Sequence, residues 1–160
     1  MENRILKNKM CNKNKILLEK YISVFENLKE DNLDGLKELI SLDVYFEDPF
    51  QKTQGRNEYI KIFKDMFLKL DKPTFKVLDY SISENSNNNC FMKWILRGKL
   101  KNNNRNISIK GMSEVSFDQK GNVKSHIDYW DTLTQIIIKL PYIGFFIEQL
   151  LKIFFKYKNI

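Results

Sequence analysis

Four strand-like segments follow one another from residue 74 to 131 with no helix between them, and this constrains the chain more than anything else in its sequence. Residues 74–83 alternate through Phe75 and Val77, and "CFMKWILRGKL" (90–100), "ISIKGMSEVSFD" (107–118) and "NVKSHIDYWD" (122–131) come after. Asn-rich turns at 85–89 and 101–106 and "DQKGN" at 118–122 divide them. The second half therefore predicts an antiparallel meander, whose apolar face needs a cover.

The first half supplies that cover. From Asn14 to Asp31, Leu17, Tyr21, Val24 and Leu28, flanked by Leu18, Ile22 and Phe25, recur at helical spacing. A short second helix is expected over 33–41, with Asn32 as its cap. "DVYFED" (43–48) is strand-like. Gly55 then opens a third helix that carries Tyr59, Ile62, Phe63, Met66, Phe67 and Leu70 and stops at Pro73. The order α-α-β-α-β-β-β-β makes an α+β fold with three helices on one face of a curved antiparallel sheet.

The net charge of +7 raises a nucleic-acid reading, so its location matters. Residues 1–15 carry a net +4 and residues 139–160 a net +3, which leaves 16–138 neutral. Lysine outnumbers arginine 23 to 4, and no basic stripe runs through the body, so nucleic acid is not an expected partner. Cys11 and Cys90 stand in no metal-type spacing and read as free thiols of a reducing cytoplasm. The N-terminus has no apolar core of a signal peptide and reads as a flexible basic arm over 1–13. We expect a cytoplasmic protein.

The tail from 136 to 160 stands apart. Ile143, Phe146, Ile147, Leu150, Leu151, Phe154 and Phe155 form a helical apolar stripe, widened by Phe145 and Ile153. Glu148, Lys152 and Lys156 form a narrow polar strip. The longest uncharged run, 140–147, is far short of the ~20 residues that span a bilayer. Three uses remain: covering the mouth of the fold, packing in a homodimer, or lying on an anionic membrane at the inner face.

Two stretches carry candidate chemistry. "YFEDPF" (45–50) places Glu47 and Asp48 on opposite faces of a strand, so one of them faces the interior. In "HIDYWD", alternation puts His126, Asp128 and Trp130 on one face, and His126 is the only histidine of the chain. Asp48, Asp128 and His126 facing one hollow have the residue types for general acid–base work, with Tyr21 and Ser113 as hydroxyl donors. The bland readings are that Asp48 caps a turn, His126 is a satisfied core histidine, and Trp130 packs. One histidine with two carboxylates, in no dedicated spacing, predicts no metal site, and nothing in the sequence asks for a cofactor.

The helix–helix–"FEDPF"–"GR"–helix run, the hairpin "EVSFDQKGNV" and the closing "DYWD" resemble the SnoaL-like branch of the nuclear transport factor 2-like superfamily, over about residues 15–135. That branch's superfamily includes ketosteroid isomerases and limonene epoxide hydrolases. The resemblance implies a cone enclosing an apolar pocket, often in a dimer. It implies Asp48 as a proton-shuttling base and Tyr21 as an oxyanion donor. Ser113 stands where the isomerases hold a protonated aspartate, Phe63 where they hold a supporting tyrosine, and Trp130 matches a pocket tryptophan. Asp128 matches an aspartate of the hydrolases' "DY(F/W)D" motif, whose Arg-x-Asp partner has no counterpart in "FMKWILRG".

Taken together, the sequence predicts a cone domain over 14–135 between the arm and the amphipathic tail. Asp48, Asp128, His126 and Tyr21 are the candidate catalytic residues. Phe46, Phe50, Phe63, Ser113, Val115 and Trp130 are expected to line the pocket. The expected activity is cofactor-free isomerase, dehydratase or hydrolase chemistry on a small apolar molecule. The alternative is a non-catalytic ligand-binding or scaffolding module.

Overall fold

A computed structural model describes residues 2–83, 89–140 and 142–155, with side chains from residue 11 onward. It divides into two compact units, Met1–Tyr129 and Trp130–Ile160. The hairpin tip expected at 85–89 lies almost wholly outside the described residues, as do Pro141 and the end of the tail.

In the first unit, helix α1 (Glu2–Glu26) is followed by a 3-10 turn (Glu30–Asn32) and a short α2 (Leu33–Lys37). Strands β1 (Ile40–Glu47) and β2 (Lys52–Gln54) come next, then α3 (Arg56–Lys69). The meander is β3 (Leu70–Ile82), β4 (Asn89–Leu100), β5 (Asn106–Phe117) and β6 (Val123–Trp130). Six strands form one curved, unclosed sheet in the order β2-β1-β6-β5-β4-β3. This is the expected α+β cone.

Its details differ from expectation in several places. Residues 2–13 are not a loose arm in this structure but the first turns of α1. They contain no glycine or proline, and lysine, leucine and methionine extend a helix already nucleated downstream. The sheet is not wholly antiparallel, because β1 runs parallel to β6, with Phe46 opposite His126 and Glu47 opposite Ile127. Asn32 does not cap α2 through its side chain. Its Oδ1 instead accepts from the Lys29 N–H at 2.7 Å, tightening the preceding turn.

The core follows from periodicity. On α1 the buried apolar set is Leu18, Tyr21 and Phe25, followed by Leu28 just beyond the helix, so Leu18 and Phe25 rather than the expected Leu17 and Val24 face inward with Tyr21. Tyr59, Ile60, Phe63 and Phe67 face inward from α3. Cys90, Met92 and Trp94 of β4 pair with Val115, Ser113 and Gly111 of β5, so one face of the sheet meets both helices. Gly111 is a space requirement: a Cβ there would stand 2.5 Å from the Trp94 ring, which lies across it. Gly55, at φ 105°, makes the sharp entry to α3 that a side chain would strain.

The second unit contains α4 (Thr132–Gln135), a 3-10 turn (Ile137–Lys139) and α5 (Ile143–Phe155). Asp131 caps α4 by accepting from the Thr134 N–H at 3.0 Å. No helix of the described residues is long and apolar enough to cross a membrane.

Candidate functional site

The first unit's interior holds a connected polar cluster drawn from five elements. Tyr21 (α1) and Tyr59 (α3) share a hydrogen bond between their hydroxyls, and both reach His126 Nδ1 (β6), at 2.7 and 3.0 Å. The other ring nitrogen, Nε2, lies 2.8 Å from Asp128 Oδ1 and 3.1 Å from Ser113 Oγ. Ser113 (β5) donates to the same Asp128 oxygen at 2.5 Å, and the Trp94 (β4) indole N–H donates to Ser113 Oγ at 2.7 Å. Period-2 alternation places Ser113, His126 and Asp128 on the inner face, and helical spacing turns Tyr21 and Tyr59 toward them.

Burial pushes the hydroxyls of Tyr21 and Tyr59 well above the ordinary tyrosine range, and the charge of Asp128 adds to both. They therefore remain donors at neutral pH. With the neutral imidazole, the arrangement that satisfies every donor has Nε2–H on Asp128 and the Nδ1 lone pair accepting from a tyrosine. The second tyrosine donates to the first. Each buried polar group of the cluster then has a partner, as low-dielectric surroundings demand.

Little empty space accompanies it. Phe25, Phe75, Val77, Met92 and Trp94, together with Ser113, His126 and Asp128, enclose a hollow of ≈ 10 Å³, at the threshold for a single water. Aromatic rings fill the remainder: Phe25 packs edge-on against Phe63 at 5.3 Å and against Phe75 at 5.3 Å. His126 is 1% exposed, whereas the Asp128 side chain is 19% exposed and brings the cluster toward the surface. Asp128 Oδ2 takes no hydrogen bond among the described residues. Among the described residues, two wider clefts, of ≈ 440 and ≈ 580 Å³, lie elsewhere and contain no cluster residue.

The structure brings Tyr21, His126, Asp128 and Ser113 together, with Phe46 beside them, its ring 5.6 Å from His126. It does not bring in Asp48. Strand β1 ends at Glu47, and the Asp48 carboxylate turns back to accept from the backbone N–H groups of Phe50 and Gln51, at 2.7 and 2.9 Å. Proline at position 49 offers no N–H, and the aspartate satisfies the two donors that follow it. Glu47 points the other way, 2.9 Å from Lys52 Nζ and bonded to the Tyr45 hydroxyl.

The expectation for Phe50 is corrected: it is 63% exposed, because the turn at Pro49 carries it out of the strand plane. Phe63 and Val115 are core residues, but neither borders the hollow. Trp130 ends β6 and falls in the second unit.

Tyr59 and Trp94 belong to the cluster but were legible in the sequence only as apolar packing. The available signal was their polar atom, since a buried Tyr O–H or Trp N–H needs a partner. Cys90 offers no nucleophile, because burial pushes its thiol up to about 12. No group of three or more metal-ligating side chains occurs among the described residues.

Comparison with solved structures gives the same fold at low identity. An NTF2-like protein of unknown function from Exiguobacterium sp. 255-15 shares 17% identity, with a TM-score of 0.64 over 72% of this chain and 98% of that one. A putative polyketide cyclase from Xanthomonas campestris pv. campestris shares 12%, with a TM-score of 0.66 over 79% and 96%. An LEH-like epoxide hydrolase of M. tuberculosis shares 10%, with a TM-score of 0.63 over 92% and 98%. No curated protein matches the sequence. One family, described as "Uncharacterized conserved protein (DUF2358)", matches residues 14–126. The chain belongs to that family, and its fold is the SnoaL-like, nuclear transport factor 2-like cone.

Proposed function

We propose that the cone serves as a non-catalytic scaffolding module whose interior polar cluster holds the fold in register. One observation carries this: the hollow of ≈ 10 Å³ leaves no room for a substrate beside a cluster whose donors are already paired. Ligand sites usually offer a few hundred Å³ with polar groups left to meet the ligand. Here the hydroxyls of Tyr21, Tyr59 and Ser113 are spent on one another, on His126 and on Asp128.

A second reading rests on a different observation, the Asp128 Oδ2 that takes no hydrogen bond among the described residues, at the partly exposed end of the cluster. In that reading Asp128, held by His126 and Ser113, is an acid–base group for a small apolar molecule arriving from outside the hollow. The cyclase and epoxide hydrolase among the structural relatives share the fold and support it by analogy only.

Indole N–H and methionine methyl NMR signals separate the two readings, because Trp94 and Met92 both wall the hollow. Titration to millimolar concentration with small cyclic ketones and epoxides is expected to leave both signals in place. A saturable shift of both, with turnover of the compound that Asp128→Asn abolishes, would overturn the scaffold reading in favour of the second.

A further inference from the structure

We propose that α5 docks the chain on an anionic phospholipid surface, lying in the plane of the interface. The inference stands on the second unit and is independent of what the cone interior does.

Helical spacing puts Ile143, Phe146, Leu150, Ile153 and Phe154 of α5 on one continuous arc. Phe146, Ile153 and Phe154 are 63%, 72% and 72% exposed. An apolar face of this size turned to water marks an interaction surface. Glu148 and Lys152 occupy the opposite side, spaced by four.

Local packing shapes this presentation. Gly144 sits so close to the Ile137–Lys139 turn that a Cβ would overlap the Ile138 carbonyl oxygen. Its N–H donates to the Leu140 carbonyl at 2.9 Å, fixing the start of α5 on that turn.

Length and charge select the occupant. The thirteen described residues of α5 make a helix of about 20 Å, against a hydrocarbon core of about 30 Å, and no helix among the described residues is long and apolar enough to cross both leaflets. The segment 139–160 has a net charge of +3 from Lys139, Lys152, Lys156 and Lys158 against Glu148, and residues 1–15 add +4 while the body is neutral. Lysines flanking an apolar arc reach up to headgroups while the arc enters the acyl boundary. A second copy of the segment 139–160 would set +3 against +3, whereas anionic lipid complements it.

The test is flotation of the full chain with vesicles of phosphatidylcholine alone, or with phosphatidylglycerol at 30 mol% (a chosen composition). The variants are Phe146→Glu/Phe154→Glu and Lys152→Glu, with helix content checked by circular dichroism. The full chain is expected to float at least ~10-fold better with the anionic vesicles and to be released by raised salt. The double variant should lose flotation at unchanged unfolding midpoint, and Lys152→Glu should weaken it several-fold. Equal flotation on neutral vesicles, none on either, or flotation that the double variant retains overturns the proposal. So does a lipid-free dimer that the double variant dissolves, which assigns the face to a second copy. A large fall in the double variant's unfolding midpoint also overturns it, assigning the face to packing within the chain.

Discussion

His126 Nδ1 has two tyrosine hydroxyls within reach, at 2.7 and 3.0 Å, and it can accept only one proton at a time. Redundancy follows. Tyr59→Phe removes the hydroxyl–hydroxyl bond and leaves Tyr21 on Nδ1, while Tyr21→Phe lets Tyr59 take its place. Either change keeps the ring volume and loses one net hydrogen bond, about 1 kcal/mol. The double variant loses both bonds and also leaves Nδ1 unpaired on a ring that is 1% exposed, adding about 1–3 kcal/mol. The singles should therefore sum to about 2 kcal/mol and the double should cost about 3–5 kcal/mol. Urea unfolding at pH 7.5 measures this through midpoints at unchanged slope. For a chain of this size the double variant's Tm should fall by roughly 10 °C. A double variant that costs no more than the sum of the singles refutes the assigned network, because Nδ1 would then not depend on either hydroxyl.

The same pair sets an alkaline limit. Both hydroxyls are held above the ordinary tyrosine value in the folded state, so their contribution is complete below about pH 10 and is lost as pH rises beyond it. Unfolding free energy should fall by up to about 1.4 kcal/mol per pH unit for each group above pH 10, with their phenolate absorbance appearing only on unfolding. Phenolate signals of both before unfolding would contradict their burial. Gly111→Ala would push a Cβ to within 2.6 Å of two Trp94 ring atoms, costing about 1–3 kcal/mol and changing the near-ultraviolet circular dichroism. An unchanged spectrum and midpoint would show that the ring does not lie there. Asp48→Ala should cost about 1 kcal/mol by releasing the turn's N–H groups, and Asp48→Asn, which keeps an acceptor oxygen, less than half of that. A loss above about 3 kcal/mol in either would place Asp48 in a buried role.

The cone was legible because its signals are periodic. Alternation in "CFMKWILRGKL" and "ISIKGMSEVSF" fixes which residues of β4 and β5 face inward, and the Tyr59–Phe67 spacing fixes the inner face of α3. The partnership of His126 and Asp128 was legible for the same reason, two residues apart on one strand. Alternation fails where a strand ends. It keeps Asp48 on the inner face with Phe46, but β1 stops at Glu47, and the following turn rather than the pleat decides where the carboxylate goes. Nor does periodicity report volume. Phe25, Phe63, Phe75 and Trp94 come from four different elements, and only their meeting shows that the hollow is filled rather than open.

The central claim is that the cone buries a relay running from the two tyrosines through His126 to Asp128, with His126 shielded from solvent. Because the chain has a single histidine, nitrogen-15 NMR reads that ring without ambiguity. At pH 7.5 we expect a proton on Nε2 that exchanges slowly with water, and a lone pair on Nδ1 shifted by a hydrogen bond. A proton on Nδ1, or an Nε2 proton exchanging on the millisecond scale, would contradict the account by showing that water reaches the ring.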